Sequence, residues 1–269
     1  MYNIKMGILE EIVEYKRQEI TKLEEFDELE DRIFDLSSDN SMPATRGFVK
    51  AIREAEGPAL IAEVKKASPS KGIIKPDFDA AKIAKAYEDG GAHCLSVLTD
   101  SKYFQGSYEN LIIASSEVAI PCLCKEFIVD PRQIAMARLM GADAILLIAA
   151  VLDDSEIEDF RFIANEFGMD VLLEVHSEEE MTRAIKLNHD LIGINNRDLT
   201  SFEVSLDTSS KLISKFKYDL GGVTLVTESG IHTKQDVLIL HNMGVKAFLV
   251  GESLVKQDDI RKAVEKLLF

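Results

Sequence analysis

The sequence contains no tryptophan, and only three cysteines and five histidines among its 269 residues. Cys94, Cys122 and Cys124 lie in apolar runs, and their odd number and C-x-C spacing fit neither a disulfide framework nor a zinc site. Buried free thiols are typical of a reducing compartment, so we expect a cytoplasmic protein. The histidines share no metal-ligand spacing, and we therefore expect no metal site.

Long apolar runs and an excess of basic residues are also missing. No run approaches the roughly 20 apolar residues of a membrane-spanning helix, so we expect no membrane partner. The first ten residues do not combine a basic with an apolar segment, so we expect no secretory signal. Acidic residues outnumber basic ones by 47 to 31, and this net charge of −16 disfavours nucleic acid as a partner. An anionic small molecule can still bind where lysines are concentrated, at Lys65, Lys66, Lys71 and Lys75.

The rest of the chain alternates strand-like with helix-like segments. Strands that are apolar on both faces and alternate with helices form parallel sheets, so eight such units predict an α/β fold, a (β/α)8 TIM barrel. The alternative, an open doubly wound sheet, normally carries a glycine-rich nucleotide fingerprint after its first strand, which this chain lacks. The strand-like runs are Leu60–Val64, Cys94–Leu98, Pro121–Cys124, Ala144–Ile148, Val171–Val175, Leu191–Ile194, Thr224–Val226 and Ala247–Val250. Helix-period segments follow at Asp79–Glu88, Ile134–Met140, Ser155–Phe167, Glu178–Leu187 and Lys234–Met243.

Two helical patterns precede the first strand. Apolar residues recur at helical spacing within about Met6–Phe26, and a second short helix is expected over about Thr45–Arg53. The acidic stretch Glu24–Asp39 between them has little periodicity and is typical of a solvated connector. We therefore expect one barrel domain over residues 1–269, with residues 1–57 as an N-terminal helical extension.

Polar residues stand at the ends of most of the predicted strands, where barrel enzymes place their chemistry. Glu63 and Lys65 are two residues apart, so an extended backbone points both the same way, and their opposite charges favour both ionised forms. Carboxylates, lysines and an asparagine that converge at one end of a barrel indicate acid–base chemistry on an anionic substrate. Structural salt bridges use the same residue types, but they do not explain why such residues recur on so many strands. The other strand-end residues are Lys125, Glu174, Asn195, Asn196, Arg197, Glu228, Ser229, Gly230, Gly251, Glu252 and Ser253.

The last two predicted strands end in small residues, Ser229-Gly230 and Gly251-Glu252. Backbone N–H groups exposed where a strand turns into a helix bind phosphate, and the loops after strands seven and eight are the usual phosphate site of a TIM barrel. Tight turns alone would use the same residues. Because the carboxylate of Glu252 would repel a phosphate, we expect it to point away while its amide binds the anion.

Five runs together resemble the indole-3-glycerol phosphate synthase family. They are Ile61–Ser70, Leu123–Ile128, Gly193–Leu199, Thr227–Ile231 and Leu249–Leu254, in the family's order along nearly the whole chain. The resemblance implies a TIM barrel with extra N-terminal helices that catalyses the ring-closing step of tryptophan biosynthesis without a cofactor. The substrate would be 1-(o-carboxyphenylamino)-1-deoxyribulose 5-phosphate, which loses carbon dioxide and water to give indole-3-glycerol phosphate. One departure is Glu126, where many members of the family have Asp.

The resemblance also implies roles for individual residues. Lys125 and Glu174 would act in the condensation, with Lys125 as general acid, and Glu63 with Lys65 would carry out the dehydration. The partner is then a phosphorylated small molecule, and we expect a monomer, with docking to a neighbouring pathway enzyme left open. The substrate-binding residues would be Ser68, Phe104, Asn195, Arg197 and Glu228, and the phosphate-binding residues Ser229, Gly230, Gly251 and the amide of Glu252.

Two other kinds of function fit parts of the pattern. A sugar isomerase, or a Schiff-base aldolase built on Lys125, would also use a phosphate-binding barrel. A catalytically silent barrel that binds a phosphorylated ligand or a protein would need no paired acids and bases. The joint presence of Lys125, Glu174, Glu63 and Lys65 therefore favours an enzyme.

Overall fold

Eight parallel strands close into a barrel in the computed structural model, which describes residues 7–21, 43–198 and 203–269. Each strand pairs with the next along the chain, and the eighth pairs with the first. The predicted (β/α)8 barrel is therefore confirmed. The strands are β1 (Ala59–Val64), β2 (Cys94–Leu98), β3 (Cys122–Lys125), β4 (Ala144–Ile148), β5 (Asp170–Val175), β6 (Leu191–Asn195), β7 (Thr224–Glu228) and β8 (Ala247–Val250).

Helices follow the strands. The predicted helix stops at Gly91, Gly141 and Gly244 are confirmed, because each glycine has a positive φ, of 96°, 90° and 105°, that other residues rarely adopt. Within the described residues the helices are α1 (Ile8–Thr21), α2 (Phe48–Glu54), α3 (Ala80–Asp89), α4 (Ser101–Phe104), α5 (Tyr108–Glu117), α6 (Pro131–Leu139), α7 (Asp154–Glu166), α8 (Glu178–Lys186), α9 (Asp207–Lys215), α10 (Lys234–Asn242), α11 (Glu252–Val255) and α12 (Ile260–Leu268).

At their carboxyl ends, three strands extend beyond the apolar runs that predicted them. β3 includes Lys125, β6 includes Asn195 and β7 includes Glu228, whereas each predicted run ends at its last apolar residue. A strand ladder joins backbone groups whatever the side chains are, and Asn195 and Glu228 are direct partners between β6 and β7. These polar side chains therefore project from paired strands, which hold them more rigidly than loops would.

The barrel interior is filled by layers of side chains, and the layer nearest the carboxyl ends of the strands is charged. Ile61, Leu123, Leu172 and Val226 belong to the buried cluster inside the barrel. Side chains alternate between the two faces of a strand, so the residue two positions further along also faces the interior. The odd-numbered strands thus contribute one layer of four charged side chains. These are Glu63, Lys125, Glu174 and Glu228.

The two N-terminal helices differ in where they pack. Phe48 and Ile52 of α2 are fully buried in the interior cluster with Ala59 and Ala247, the first residues of β1 and β8, so α2 closes the amino end of the barrel. Helix α1 instead borders the carboxyl end, where Ile12 lines the cavity described below. The chain therefore covers both ends of its barrel with segments that precede it.

The N-terminal predictions are met in part. Helix α1 occupies the middle of the predicted Met6–Phe26 helix, and the rest of that helix apart from Gly7 lies outside the described residues, as does the connector Glu24–Asp39. Helix α2 begins at Phe48 rather than Thr45, because Gly47 has the left-handed φ of 76° and interrupts helical geometry.

Candidate active site

A cavity of about 440 Å³ opens at the carboxyl ends of the strands. Its walls combine the charged layer with the loops after β6, β7 and β8. Ser68 and the next three residues also line it, and they belong to a short antiparallel pair after β1, Ala67–Ser68 with Gly72–Ile73, and to its turn. The structure brings together in this cavity every residue that the sequence analysis assigns to the site. They are Glu63, Lys65, Ser68, Phe104, Lys125, Glu174, Asn195, Arg197, Glu228, Ser229, Gly230, Gly251 and Glu252.

Lys125 lies between two carboxylates of the charged layer. Its Nζ donates hydrogen bonds to Glu174 Oε2 at 2.7 Å and to Glu228 Oε2 at 2.6 Å. The three side chains come from β3, β5 and β7, and they are almost completely withdrawn from solvent, with 12%, 4% and 2% exposure. One ammonium thus holds two buried carboxylates, which leaves this group of three one negative charge in excess.

The excess charge separates the protonation behaviour of the two carboxyls. Burial opposes the charged form of Lys125, but Glu174 and Glu228 outweigh burial and raise the pKa of its ammonium. Burial likewise opposes ionisation of Glu174, but Lys125 and His176 outweigh it and hold the pKa of Glu174 well below its ordinary value. Burial raises the pKa of Glu228 to about 7, because Lys125 offsets only part of that penalty and Glu174 adds to it. Glu174 is therefore the carboxylate of the pair that stays ionised, and Glu228 is the carboxyl that can hold a proton near neutral pH.

The surroundings of the two carboxylates explain this difference. Oε1 of Glu174 accepts a hydrogen bond from Asn195 Nδ2 at 3.3 Å. Oε1 of Glu228 is buried and accepts no hydrogen bond from any described residue. This oxygen lies instead against the backbone of Gly193, so close that a Cβ atom added to Gly193 would be only 2.4 Å from it. A buried carboxyl group whose oxygen accepts no hydrogen bond has a higher free energy when ionised, so its neutral form is favoured.

A second acid–base pair lies on β1 and the residue after it. Lys65 Nζ donates to Glu63 Oε2 at 3.1 Å, as expected for side chains that point the same way. Lys65 also lies 5.5 Å from the ring centroid of Phe104, which is itself 6.1 Å from the ring centroid of Phe127. The cavity therefore places an ammonium beside an aromatic wall, an arrangement suited to an anionic aromatic ligand.

The loops after β7 and β8 have the geometry of an anion site. Ser229 and Gly230 both have left-handed backbone conformations, with φ of 63° and 82°. Helix α11 begins at Glu252, and no side chain caps its first turn. The Glu252 carboxylate lies 4.0 Å from Nζ of Lys256, which directly follows α11. Lys256 is not part of the cavity wall, so this carboxylate has a cation beside it away from the cavity, which is compatible with the phosphate-binding role predicted for the Glu252 amide.

Asn196 lies next to the site, and its side chain makes structural hydrogen bonds. It is 2% exposed and is not part of the cavity wall. Its Nδ2 donates to Thr227 Oγ1 at 2.9 Å and to the carbonyl of Ser229 at 3.1 Å, and its Oδ1 accepts from Ser209 Oγ at 2.8 Å. Asn196 thus ties the loop that carries Ser229 to β6 and α9.

Helix α1 supplies a part of the wall that the sequence analysis did not assign. Ile8, Leu9 and Ile12 line the cavity. Lys16, with 5% of its side chain exposed, forms ion pairs with Asp100 at 3.1 Å and Glu126 at 3.2 Å. The apolar periodicity of α1 shows that one face is buried, but it does not identify the surface that this face covers.

Neither a metal cluster nor a membrane span is found in the part of the chain that the structure describes. Among residues 7–21, 43–198 and 203–269, no three His, Cys, Asp or Glu side chains are grouped to hold a metal ion. No helix in these segments has the length and apolar character needed to cross a membrane.

The family model and the curated relatives that match this chain carry the same family name. The model of the family "Indole-3-glycerol phosphate synthase" matches residues 9–267. An indole-3-glycerol phosphate synthase from Crocosphaera subtropica is 50% identical over 265 residues, which cover 97% of this chain and 89% of the relative. One from Rippkaea orientalis is 48% identical over 267 residues, with the same coverage of 97% and 89%. A chloroplastic one from Arabidopsis thaliana is 48% identical over 97% of this chain and 66% of the relative.

Solved structures with lower identity share the fold. A mutant tryptophan synthase alpha-subunit from Pyrococcus furiosus superposes with a TM-score of 0.58 at 14% identity, over 78% of this chain and 97% of that one. A thiamine phosphate pyrophosphorylase from the same organism gives a TM-score of 0.57 at 19% identity, over 78% and 93%. At these identities the likeness concerns the barrel architecture alone.

Proposed function

Because this chain belongs to the indole-3-glycerol phosphate synthase family, we propose that its barrel mouth performs the ring closure that the family name denotes. The substrate is 1-(o-carboxyphenylamino)-1-deoxyribulose 5-phosphate, and the products are indole-3-glycerol phosphate, carbon dioxide and water. The observation that carries the proposal is the buried ammonium of Lys125 between the carboxylates of Glu174 and Glu228, in a cavity that the loops after β7 and β8 also line.

Condensation is the first step. The ring carbon that bears the carboxylate attacks the ketone carbon, and the ketone oxygen becomes more basic as the bond forms. Lys125 donates a proton to this oxygen, since an alkoxide is far more basic than an amine even when the pKa of the ammonium is raised. Glu174 keeps the ammonium in place and stabilises the positive charge that develops on the substrate's nitrogen.

Decarboxylation follows from the same adduct. The bond between the ring carbon and the carboxylate breaks, carbon dioxide leaves, and the electron pair of that bond restores aromaticity. The step removes a negative charge, so it is favoured in apolar surroundings. The aromatic rings of Phe104 and Phe127 and the α1 residues Ile8 and Ile12 supply such surroundings.

Dehydration completes the indole. The C–O bond of the new hydroxyl breaks as Lys65 protonates the leaving oxygen, and Glu63 removes a proton from the methylene carbon beside the nitrogen. The 3.1 Å separation of Lys65 Nζ and Glu63 Oε2 supports this pairing, because the dehydration needs an acid and a base at neighbouring atoms of one substrate. Lys125 and Lys65 each donate one proton to the substrate, and Glu63 removes one. The substrate thus takes up one proton in total, as it must when its carboxylate leaves as carbon dioxide.

Substrate binding is assigned to the rest of the cavity wall. Ser229, through its hydroxyl and its backbone amide, binds the phosphate together with the backbone amides of Gly230, Gly251 and Glu252, and the phosphate remains unchanged through the reaction. Ser68, Asn195 and Arg197 contact the substrate's remaining polar groups. Because the phosphate and the reacting carbons are joined by a short chain, an anchored phosphate also orients the ketone toward Lys125.

The geometry argues against the Schiff-base alternative. A Schiff-base lysine must be a neutral amine to attack a carbonyl. Glu174 and Glu228 hold Lys125 in its charged form, and their two hydrogen bonds leave one of its three N–H donors for the ketone oxygen. Borohydride should therefore not trap a covalent adduct of the protein with its substrate.

The experiment that tests the proposal is a turnover assay with the purified protein and the anthranilate-linked deoxyribulose phosphate. Indole absorbance and fluorescence are followed together with release of carbon dioxide, and the absence of tryptophan from the chain keeps the background emission low. We expect one carbon dioxide for each indole formed. Binding without turnover would contradict the proposal and favour a silent barrel.

The compartment and the oligomeric state are part of the same proposal. We place the protein in the cytoplasm as a monomer. Every assigned site residue belongs to one chain, so the cavity needs no residue from a second copy. Burial raises the pKa of Cys122 and Cys124 to about 12, which keeps these thiols protonated and is consistent with a reducing compartment. The mass measured in solution by light scattering tests the monomer, with 30.0 kDa as the expected value.

A further inference from the structure

His176 links the charged layer to the start of helix α8. It directly follows β5, and its side chain is only 14% exposed. Its Nε2 lies 3.3 Å from Glu174 Oε1, at ion-pair distance, without the alignment of a hydrogen bond. Its Nδ1 lies 3.3 Å from Glu180 Oε2. The imidazole therefore stands between two carboxylates, one in the site and one behind it.

The carboxylate behind His176 is fixed by the backbone. Glu180 Oε2 accepts a hydrogen bond from the backbone N–H of His176 at 2.8 Å, and its Oε1 accepts one from Ser177 Oγ at 2.9 Å. Ser177 caps α8 by accepting from the N–H of Glu180 at 3.2 Å. The start of α8 is thus a rigid support that holds Glu180, and through Glu180 the imidazole, in one place.

This support reaches only one of the two carboxylates that share Lys125. Glu174 and Glu228 lie at almost equal distances from Lys125 Nζ, 2.7 and 2.6 Å. On its other side Glu174 faces His176, whereas Glu228 faces the bare backbone of Gly193. Besides the amide of Asn195, His176 is therefore the group that distinguishes the surroundings of Glu174 from those of Glu228.

We propose, on the basis of the function inferred above, that His176 is a positioning residue whose charged imidazole keeps Glu174 ionised and oriented toward Lys125 and the substrate. With His176 charged, two cations, Lys125 and His176, face three carboxylates, and the imidazolium places its positive charge on the Glu174 side of Lys125. Any proton that the pair of carboxylates retains is then directed to Glu228. His176 itself does not line the cavity, so it acts through Glu174.

The charges around His176 support the imidazolium form. The groups that face the ring are Glu174 from β5 and Glu180 from α8, and beyond Glu174 lie Lys125 from β3 and Glu228 from β7. Burial opposes a charged ring, but the two facing carboxylates outweigh burial and raise the pKa of His176 to about 10. The ring therefore stays charged across the neutral range, and it does not act as a switch between pH 6 and pH 8.

The first test is spectroscopic and does not depend on turnover. Histidine side-chain NMR of the wild-type protein between pH 6 and pH 9 should show one imidazole that remains doubly protonated throughout, and this signal should be missing in His176→Gln. In Glu180→Gln, which removes the supporting carboxylate, the pKa of this imidazole should fall by about one unit or more. A His176 ring that loses its proton below pH 8 in the wild-type protein overturns the proposal, whether or not the protein turns over substrate.

The second test uses the pH profile of kcat. His176→Gln keeps a neutral donor near Glu174 but removes the charge, so the acid limb of the profile should move up by about one pH unit, while KM changes less than about threefold. His189→Gln is the matched control, because His189 is also buried but lies at the opposite end of the same strand–helix unit. If His176→Gln lowers kcat at all pH values without moving the acid limb, or behaves like His189→Gln, the positioning role is wrong. Should His176→Gln fail to fold, Glu180→Gln must show the same shift of the acid limb.

Discussion

Gly193 lies directly against the carboxylate of Glu228. A Cβ built on Gly193 would be 2.4 Å from Glu228 Oε1, and one built on Gly251 would be 2.2 Å from Glu63 Oε2. Gly193 on β6 and Gly251 after β8 belong to even-numbered strand positions, whereas both glutamates come from the odd-numbered strands that build the charged layer. The barrel therefore has room for four charged side chains in one layer, because glycines without side chains lie beside two of them.

Adding a methyl group at Gly193 should displace Glu228 from Lys125. The backbone of Gly193 is not in the left-handed region, so alanine is excluded there by Glu228 and Leu172 and not by its own conformation. We expect Gly193→Ala to lower kcat by about tenfold or more, since misplacement by an ångström is costly at a reacting centre. Gly221→Ala, where a Cβ meets no atom within 4 Å, is the control and should stay within about twofold of wild type. Equal activities of the two variants would mean that the position of Glu228 is unimportant.

Removing the hydroxyl of Ser229 should affect binding more than chemistry. The phosphate is bound equally in the ground state and the transition state, so a lost contact to it raises KM and leaves kcat nearly unchanged. We expect Ser229→Ala to raise KM by about tenfold. Inorganic phosphate should inhibit the wild-type protein competitively, and it should inhibit Ser229→Ala more weakly. A defect confined to kcat would contradict the assignment of this loop to the phosphate.

Lys16 should be important for stability although it lies outside the cavity wall. Its ammonium is buried against Asp100 and Glu126, so Lys16→Met leaves two buried carboxylates without a cation. Breaking a buried pair in this way typically costs about 3–5 kcal/mol. Urea unfolding should show a loss of this order, and Lys50→Met should change stability by less than about 0.5 kcal/mol, because Lys50 is 73% exposed beside Glu54. A loss for Lys16→Met as small as the control's would show that α1 is not held by this ion pair.

The raised pKa of Glu228 should appear as a pH dependence of stability. Its folded pKa of about 7 exceeds the ordinary value of 4.5, so between these limits the folded protein binds the proton more tightly than the unfolded chain. This contribution is fully present below about pH 4.5 and is lost as pH rises through 7. Glu228→Gln removes the titration, so relative to wild type the variant should gain stability from pH 5 to pH 8, by about 1 kcal/mol or more. A difference in unfolding free energy that is the same at both pH values would contradict the raised pKa.

Much of the fold could be predicted because its signals are local. Eight apolar runs such as Cys94–Leu98 and helix stops such as Gly91 are visible within ten residues of sequence, and each has one dominant physical explanation. The ends of β3, β6 and β7 could not be located in this way, because a ladder continues through Lys125, Asn195 and Glu228 regardless of their polarity.

The candidate site could be predicted as a set of residues but not as an arrangement. Lys125 and Glu228 are 103 positions apart, and their 2.6 Å contact depends on how the strands are staggered around the barrel, which no local pattern reports. The position of α1 over the mouth and the burial of Lys16 escaped prediction for a related reason. A lysine on an amphipathic helix is usually solvated, and only the facing carboxylates of Asp100 and Glu126 make its burial favourable.

The central claim is that the ammonium of Lys125 supplies the proton for ring closure, and the kcat of Lys125→Met tests it most directly. Methionine keeps an unbranched side chain that is one heavy atom shorter and removes the charge, while the residues assigned to the phosphate are unchanged. We expect kcat to fall by about 10²-fold or more, with substrate affinity, measured from anthranilate fluorescence, within about tenfold of wild type. Lys82→Met, on a side chain that is 85% exposed, should leave kcat unchanged. A Lys125→Met protein that forms indole at close to the wild-type rate would contradict the account.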